Sequence, residues 1–120
     1  MKDTDIVIQG GLWPETITFA EQYLKLEFVK NVFISTWVNE KEKIKGYEGK
    51  IKFIFSELPE KDGGGNVNLQ IISSYNGVKG CESENIIKMR SDQTILDEEM
   101  YKMNLFYREN LKGKEVFVLG

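Results

Sequence analysis

The sequence predicts an α/β fold, a three-layer sandwich with a mostly parallel sheet and its first strand central. Two observations carry this. Short apolar-rich runs recur at 5–9, 31–37, 50–56, 86–93 and 115–120, and helical or loop-like stretches separate them. Most of those connections are too long for hairpins, so neighbouring strands are expected to run parallel, with right-handed crossovers placing helices on both faces. A chain of 120 residues buries about two thirds of its unfolded surface, enough for one core and one domain.

The first strand, Asp5-Ile6-Val7-Ile8-Gln9, runs into Gly10-Gly11. A glycine pair there makes a tight turn, and it also lets backbone N–H groups approach a ligand as nucleotide loops do; both readings stand. Pro14 fits the opening of a helix in which Ile17, Ala20, Leu24 and Phe28 recur every three or four residues as one apolar stripe. The second strand, Asn31-Val32-Phe33-Ile34-Ser35-Thr36-Trp37, ends in hydroxyls and an indole. Trp37 has the surface to cover a base or sugar ring, and equally to plug the rim of the core. A charged stretch at 39–45 reads as a short solvated helix, and 50–56 as a third strand with Ile51, Phe53 and Phe55 on one face. Leu58-Pro59-Glu60-Lys61-Asp62-Gly63-Gly64-Gly65 is a loop whose glycines suit a hinge or a backbone surface for a ligand.

Residues 66–79 admit two readings. Val67, Leu69 and Ile71 alternate with Asn66, Asn68 and Gln70 as in a strand, and Asn76-Gly77 would then turn a hairpin. As a helix, the same segment has an apolar stripe of Val67, Ile71, Tyr75 and Val78 and a small polar stripe of Asn66, Gln70, Ser73 and Gly77. A fourth strand begins at Ile86. Residues 97–111 carry apolar side chains all round, as a largely covered helix does, and 115–120 form a last strand. The chain stops on that strand with neither cap nor tail, which points to a piece of something longer.

Composition narrows the chemistry. Lys and Arg number 16 against 19 Asp and Glu, for a net charge of -3, and Lys and Glu interleave between 40 and 52. No basic face for nucleic acid follows from such a pattern. Cys81 is the lone cysteine and histidine is absent. An intrachain disulfide, Ser-His and Cys-His nucleophile pairs and the common zinc sites are therefore excluded, a reducing cytoplasmic setting is natural, and carboxylates and amides remain as ligands for a hard cation. No apolar run approaches the ~20 residues of a membrane span, and the first residues do not read as a signal peptide.

The richest stretch is Ile86-Ile87-Lys88-Met89-Arg90-Ser91-Asp92-Gln93. An apolar run turns charged and stops, as a buried strand does when it delivers polar groups to a sheet edge. In open α/β sheets ligands bind beyond the carboxyl ends of the strands, so Arg90 and Asp92 fall at that lip and, by alternation, on one face. A cation and an anion side by side suit a phosphate-bearing ligand with or without a divalent metal. They equally suit an ion pair with each other, or Asp92 as the cap of the next helix.

The order of elements resembles the nucleotide-sugar-binding half of a GT-A glycosyltransferase. More closely, Asp5-Ile6-Val7-Ile8-Gln9-Gly10, Ile34-Ser35-Thr36-Trp37, Asn66-Val67-Asn68-Leu69-Gln70-Ile71 and Lys88-Met89-Arg90-Ser91-Asp92 resemble the WavE family of lipopolysaccharide-synthesis proteins, glycosyltransferases of bacterial surface polysaccharides. The resemblance favours a helix at 66–79 and implies one nucleotide-sugar-binding domain over 1–120. It implies a donor site in which Gln9, Gly10, Gly11 and Thr36 hold base and ribose, and Asn66 and Gln70 face the donor. Arg90 and Asp92 would stand at the reacting diphosphate, with Asp92 as ligand of a divalent cation, Mn²⁺ or Mg²⁺. The family's acidic motif usually has two aspartates, and here its first position is Arg90; Gly11 stands where the family typically has Pro. The implied partners are a nucleotide-sugar donor and a glycan or lipid-linked acceptor, met in the cytoplasm at the inner face of the cell membrane. The acceptor half and the usual catalytic base lie beyond the corresponding end of this chain. A noncatalytic α/β nucleotide-binding or interaction domain is the alternative that the same scaffold allows.

Overall fold

The structure, a computed structural model, describes residues 3–58, 67–83, 85–91, 102 and 115–118, with backbone alone at 67–70, 74 and 115–118. Its elements in chain order are β1 (Thr4–Gln9), α1 (Thr16–Leu24), β2 (Val29–Trp37), a 3-10 helix (Val38–Ile44), β3 (Lys52–Ser56), α2 (Val67–Lys79), β4 (Asn85–Arg90) and β5 (Glu115–Val118). The strands form one five-stranded sheet in the order β3-β2-β1-β4-β5. Every neighbouring pair is parallel.

β1 is central, as its composition requires: each of its residues is buried, because strands flank both its edges and helices cover both its faces. Alternation splits the core accordingly. Ile6 and Ile8 join Val32, Ile34, Ile87 and Met89 under Ala20 and Tyr23 of α1, while Val7, Phe33 and Ile86 pack on the other face with Val78 of α2. The opposite placement of the helices follows from chirality. One crossover leads from β1 towards β2 and the other back across β1 to β4, and right-handed connections in opposite directions lie on opposite faces.

The stripe predicted for the first helix is realised in part. Ala20 is buried and Ile17 and Leu24 pack against the core, but Phe28 lies past the helix end. The chain turns there through hydrogen bonds from the Leu26 N–H to the Tyr23 carbonyl (3.1 Å) and from the Val29 N–H to the Leu26 carbonyl (3.1 Å), and Phe28 enters the core from the turn. The charged stretch at 39–45 is the 3-10 helix, with no buried residue.

Residues 67–79 are helical, so Asn76-Gly77 makes no hairpin. Ser73 and Gly77 of the small polar stripe meet the sheet, together with Val78 of the apolar one. A Cβ on Gly77 would stand 2.6 Å from Val7 Cγ1 and 3.0 Å from Ser35 Cβ, so glycine is what permits this approach. Ser73 Oγ donates to Gln9 Oε1 at 2.6 Å, Ser35 Oγ donates to the Ser73 carbonyl at 2.7 Å, and Asn76 Nδ2 donates to Ser56 Oγ at 2.7 Å. From the apolar stripe, Ile71 and Tyr75 are 59% and 65% exposed. Most of the glycine-rich loop and of the helix predicted at 97–111 lies outside the described residues. No described helix is long and apolar enough to cross a membrane.

At the amino edge of the sheet, Asp5 is fully buried. Its carboxylate accepts the N–H groups of Glu82 (2.8 Å) and Ser83 (3.0 Å), the Ser83 hydroxyl (2.7 Å) and Asn31 Nδ2 (3.0 Å). A buried carboxylate is tolerable when its lone pairs are met in this way.

Candidate functional site

The strand order reverses direction at β1, since β2 lies on one side and β4 on the other. A crevice opens at such a switch point, beyond the carboxyl ends of the two strands. Gly10 closes β1 there with φ of +125°, a conformation open essentially to glycine. Its N–H donates to the Ser35 carbonyl at 3.0 Å, and the Ser91 N–H donates to the Gln9 carbonyl at 2.8 Å, so the turn is held from both neighbouring strands. A Cβ at Gly10 would lie 2.6 Å from Ser91 Oγ.

Gln9, Gly10, Gly11, Thr36 and Arg90 all fall at this carboxyl edge, on two different faces. Gln9 pairs with Arg90 in the β1–β4 register, and Lys88 precedes Arg90 by two positions. Ile86 packs in the core under α2, so alternation puts Lys88 and Arg90 on that face too. Both are half-buried. Burial pushes the Lys88 ammonium below its usual basicity, and the neighbouring Arg90 charge lowers it further. Gln9 is buried, and its contact with Ser73 ties β1 to α2. Ser73 lies beside Gln9 and Gly77 beside Val7, so α2 runs antiparallel to the strands and its amino end, the positive end of the helix dipole, lies at the same edge.

Thr36 alternates with Val32 and Ile34 and so faces α1. It is fully buried, and its Oγ1 has no hydrogen-bond partner among the described residues. On this side Leu12, Trp13, Pro14, Ile17 and Lys43 line a cleft of about 340 Å³. Lys43 Nζ donates to the Leu12 carbonyl at 3.2 Å and pairs with the Glu40 carboxylate at 2.7 Å. Trp13 is 55% exposed and presents its ring at the cleft. Trp37, the indole with two sequence readings, is 6% exposed and plugs the rim.

Asn66 and Asp92 lie outside the described residues, and Gln70 is placed by its backbone alone, in the first turn of α2. Trp13 and Lys88 were not singled out by sequence. Signals for both were present: Trp13 lies two residues beyond the glycine pair, and Lys88 shares strand alternation with Arg90. Among the described residues no three His, Cys, Asp or Glu side chains gather as a metal site requires. Glu40, beside the glycine turn, is paired with Lys43, and Asp5 sits at the opposite edge with both oxygens engaged. The described side chains therefore do not form a seat for Mn²⁺ or Mg²⁺. The chain matches no protein-family model, no curated protein and no solved structure.

Proposed function

We propose that the chain binds the nucleotide-sugar donor of a glycosyltransferase, as the donor half of a GT-A-type enzyme resembling the WavE lipopolysaccharide-synthesis proteins. The observation that carries the reading is the Gly10 turn at the switch point between β1 and β4, with Arg90 beside Gln9 across the same edge. On this reading Gly10, Gly11 and Trp13 receive the base and ribose, and Arg90 faces the diphosphate. When the sugar is transferred, the nucleotide leaves as an anion while the sugar carbon becomes cation-like. A fixed guanidinium at the diphosphate stabilises that developing charge and lowers the barrier. The acceptor is a surface polysaccharide or lipid-linked glycan at the cytoplasmic face of the membrane. The resemblance also brings a divalent cation on Asp92, so the test includes Mn²⁺.

A noncatalytic nucleotide-binding domain is the second reading, favoured by the engagement of Glu40 with Lys43, which occupies a carboxylate beside the glycine turn. Thermal unfolding with UDP-, GDP-, CMP- and dTDP-sugars, with and without Mn²⁺, tests binding. A ligand at a hundredfold its dissociation constant adds about 2.7 kcal/mol, a shift on the order of 10 °C for a domain of this size. One nucleotide class is expected to give such a shift. Flat melting curves across the panel would count against both readings, and binding without donor turnover when acceptor glycans are added would favour the second.

A further inference from the structure

We propose that the cleft at Leu12, Trp13, Pro14, Ile17 and Lys43 selects the nucleobase of the ligand, taking uracil, thymine or guanine and turning away cytosine and adenine, with Lys43 as the residue that reads the difference. This deepens the donor-site reading and rests on it for the sugar and diphosphate alone. The cleft begins directly after the Gly10-Gly11 turn. At about 340 Å³ it stands at the small end of ligand pockets, which run roughly 300–1,000 Å³, so it holds one ring system rather than a whole nucleotide-sugar. Its lining side chains are apolar apart from Lys43. Trp13 is exposed there and gives a flat face on which a planar ring can stack, whereas the other indole, Trp37, is buried.

Lys43 is fixed from two sides. Its Nζ donates to the Leu12 carbonyl at 3.2 Å and pairs with the Glu40 carboxylate at 2.7 Å, and Glu40 Oε1 in turn lies 3.4 Å from where a Cβ on Gly11 would stand. An ammonium has three N–H donors, and among the described residues Lys43 engages two, so one remains for a ligand in the cleft. The carboxylate offsets the charge of the ammonium. What is left is a directed donor with little net charge, which suits a neutral carbonyl oxygen better than a phosphate or a carboxylate. The edge of a base far from its ribose carries such an oxygen in uracil, thymine and guanine, and an amino group in the same place in cytosine and adenine. Opposite that amino group the Lys43 donor would meet a second donor and make no bond.

The test is tryptophan fluorescence and calorimetry of the protein titrated with uridine, cytidine, guanosine and adenosine, and with the UDP, CDP, GDP and ADP sugars. Stacking in the cleft quenches the exposed Trp13 and leaves the buried Trp37 unchanged. For the ring size that binds, the oxo base is expected to bind about tenfold more tightly than its amino counterpart, uracil against cytosine or guanine against adenine. Trp13→Phe should abolish the quench, and Trp13→Ala should weaken both members of a pair alike by about tenfold, since stacking is indifferent to the substituent. Lys43→Met should bring the pair to within about threefold of each other, while Lys30→Met, an exposed control on β2, should keep the wild-type preference. Because Lys43→Met leaves Glu40 without its partner, Glu40→Gln combined with Lys43→Met is measured beside it, and urea midpoints show which variants keep the fold. Equal affinity for the two bases in wild type, a preference that survives in a folded Lys43 variant, or silence of Trp13 across the whole panel overturns the proposal. Nucleotide-sugars that bind in any of those cases keep the donor site. Conversely, nucleosides that bind as expected while nucleotide-sugars bind no more tightly leave the cleft standing and remove the donor site.

Discussion

Replacing Gly10 with alanine tests the turn on which the candidate site depends. Two costs can be separated. The backbone at φ of +125° is one that a side chain rarely adopts, and holding a non-glycine residue in such a region costs about 1–3 kcal/mol. The added Cβ also meets Ser91 Oγ at 2.6 Å, whereas Ser91 Cβ stands at an ordinary 3.6 Å. Driving the serine hydroxyl out of its rotamer costs roughly 1 kcal/mol. Gly10→Ala should therefore destabilise by about 2–4 kcal/mol. Adding Ser91→Ala removes the close oxygen, leaves the ordinary contact, and should recover only the ~1 kcal/mol rotamer part. Urea unfolding of wild type, both single variants and the double variant gives the coupling directly. A Gly10→Ala protein within about 0.5 kcal/mol of wild type, against the strain expected, would refute the left-handed turn. A double variant no more stable than Gly10→Ala alone would refute the Ser91 contact.

Asp5→Leu should strand the N–H groups of Glu82 and Ser83 and the Asn31 amide, and destabilise by about 4 kcal/mol or more. Asp5→Asn should cost about 1 kcal/mol, because its oxygen can keep the backbone donors while Asn31 and the Ser83 hydroxyl reorient; urea midpoints that rank the two the other way would dismiss this account. On the donor-site reading Arg90→Ala should weaken nucleotide-sugar binding by about tenfold or more, and Arg90→Lys should restore part of it, since a point charge lacks the bidentate fork. Calorimetry showing unchanged donor affinity in folded Arg90→Ala would remove Arg90 from the site. Burial and the hydrogen bond to Glu21 raise the Tyr47 hydroxyl above its ordinary value of 10.0. The unfolded chain then loses this proton first, so the contribution is fully present below pH 10.0 and fades as the pH climbs through the higher folded value. Stability of wild type should fall across that range more steeply than that of Tyr47→Phe, and parallel curves would contradict the assignment.

Strand periodicity made most of the scaffold legible before any coordinates. The central first strand, the parallel neighbours and the placing of Gln9, Thr36 and Arg90 near the carboxyl ends of strands follow from apolar runs and connection lengths. Periodicity failed where two periods fit one segment. At 67–79 the deciding fact is tertiary: Gly77 and Ser73 let a helix backbone settle on Val7, Gln9 and Ser35, and no pattern within the segment announces that. It misled slightly at Phe28, whose spacing fits the helix though the chain has already turned. The two indoles show the limit for the site. Both lie near strand ends in sequence, yet Trp13 stands on an exposed loop and Trp37 is sealed by the strand's own alternation. Which face a residue takes depended on knowing what covers that face, and this is why Thr36 and Gln9, adjacent at one edge, look in opposite directions.

The buried Asp5 carboxylate has a reach beyond its own neighbourhood. It grips the chain at Glu82 and Ser83, just before β4 begins, and the Asn85 N–H adds a bond of 3.3 Å to the Asp3 carbonyl. Together these fix the phase in which β4 is laid against β1. A strand has a reading frame of two, and a slip of one residue exchanges its faces completely. In the shifted frame Ile87 and Met89 would turn towards α2, and Lys88 and Arg90 would be driven among Ile8, Ile34 and Tyr23. The charges at the carboxyl edge thus keep their meaning through an anchor at the far end of the same strand pair. A substitution at Asp5 that gives up the grip on Glu82 and Ser83 therefore loosens the placement of Lys88 and Arg90 a whole strand length away, with both side chains chemically intact.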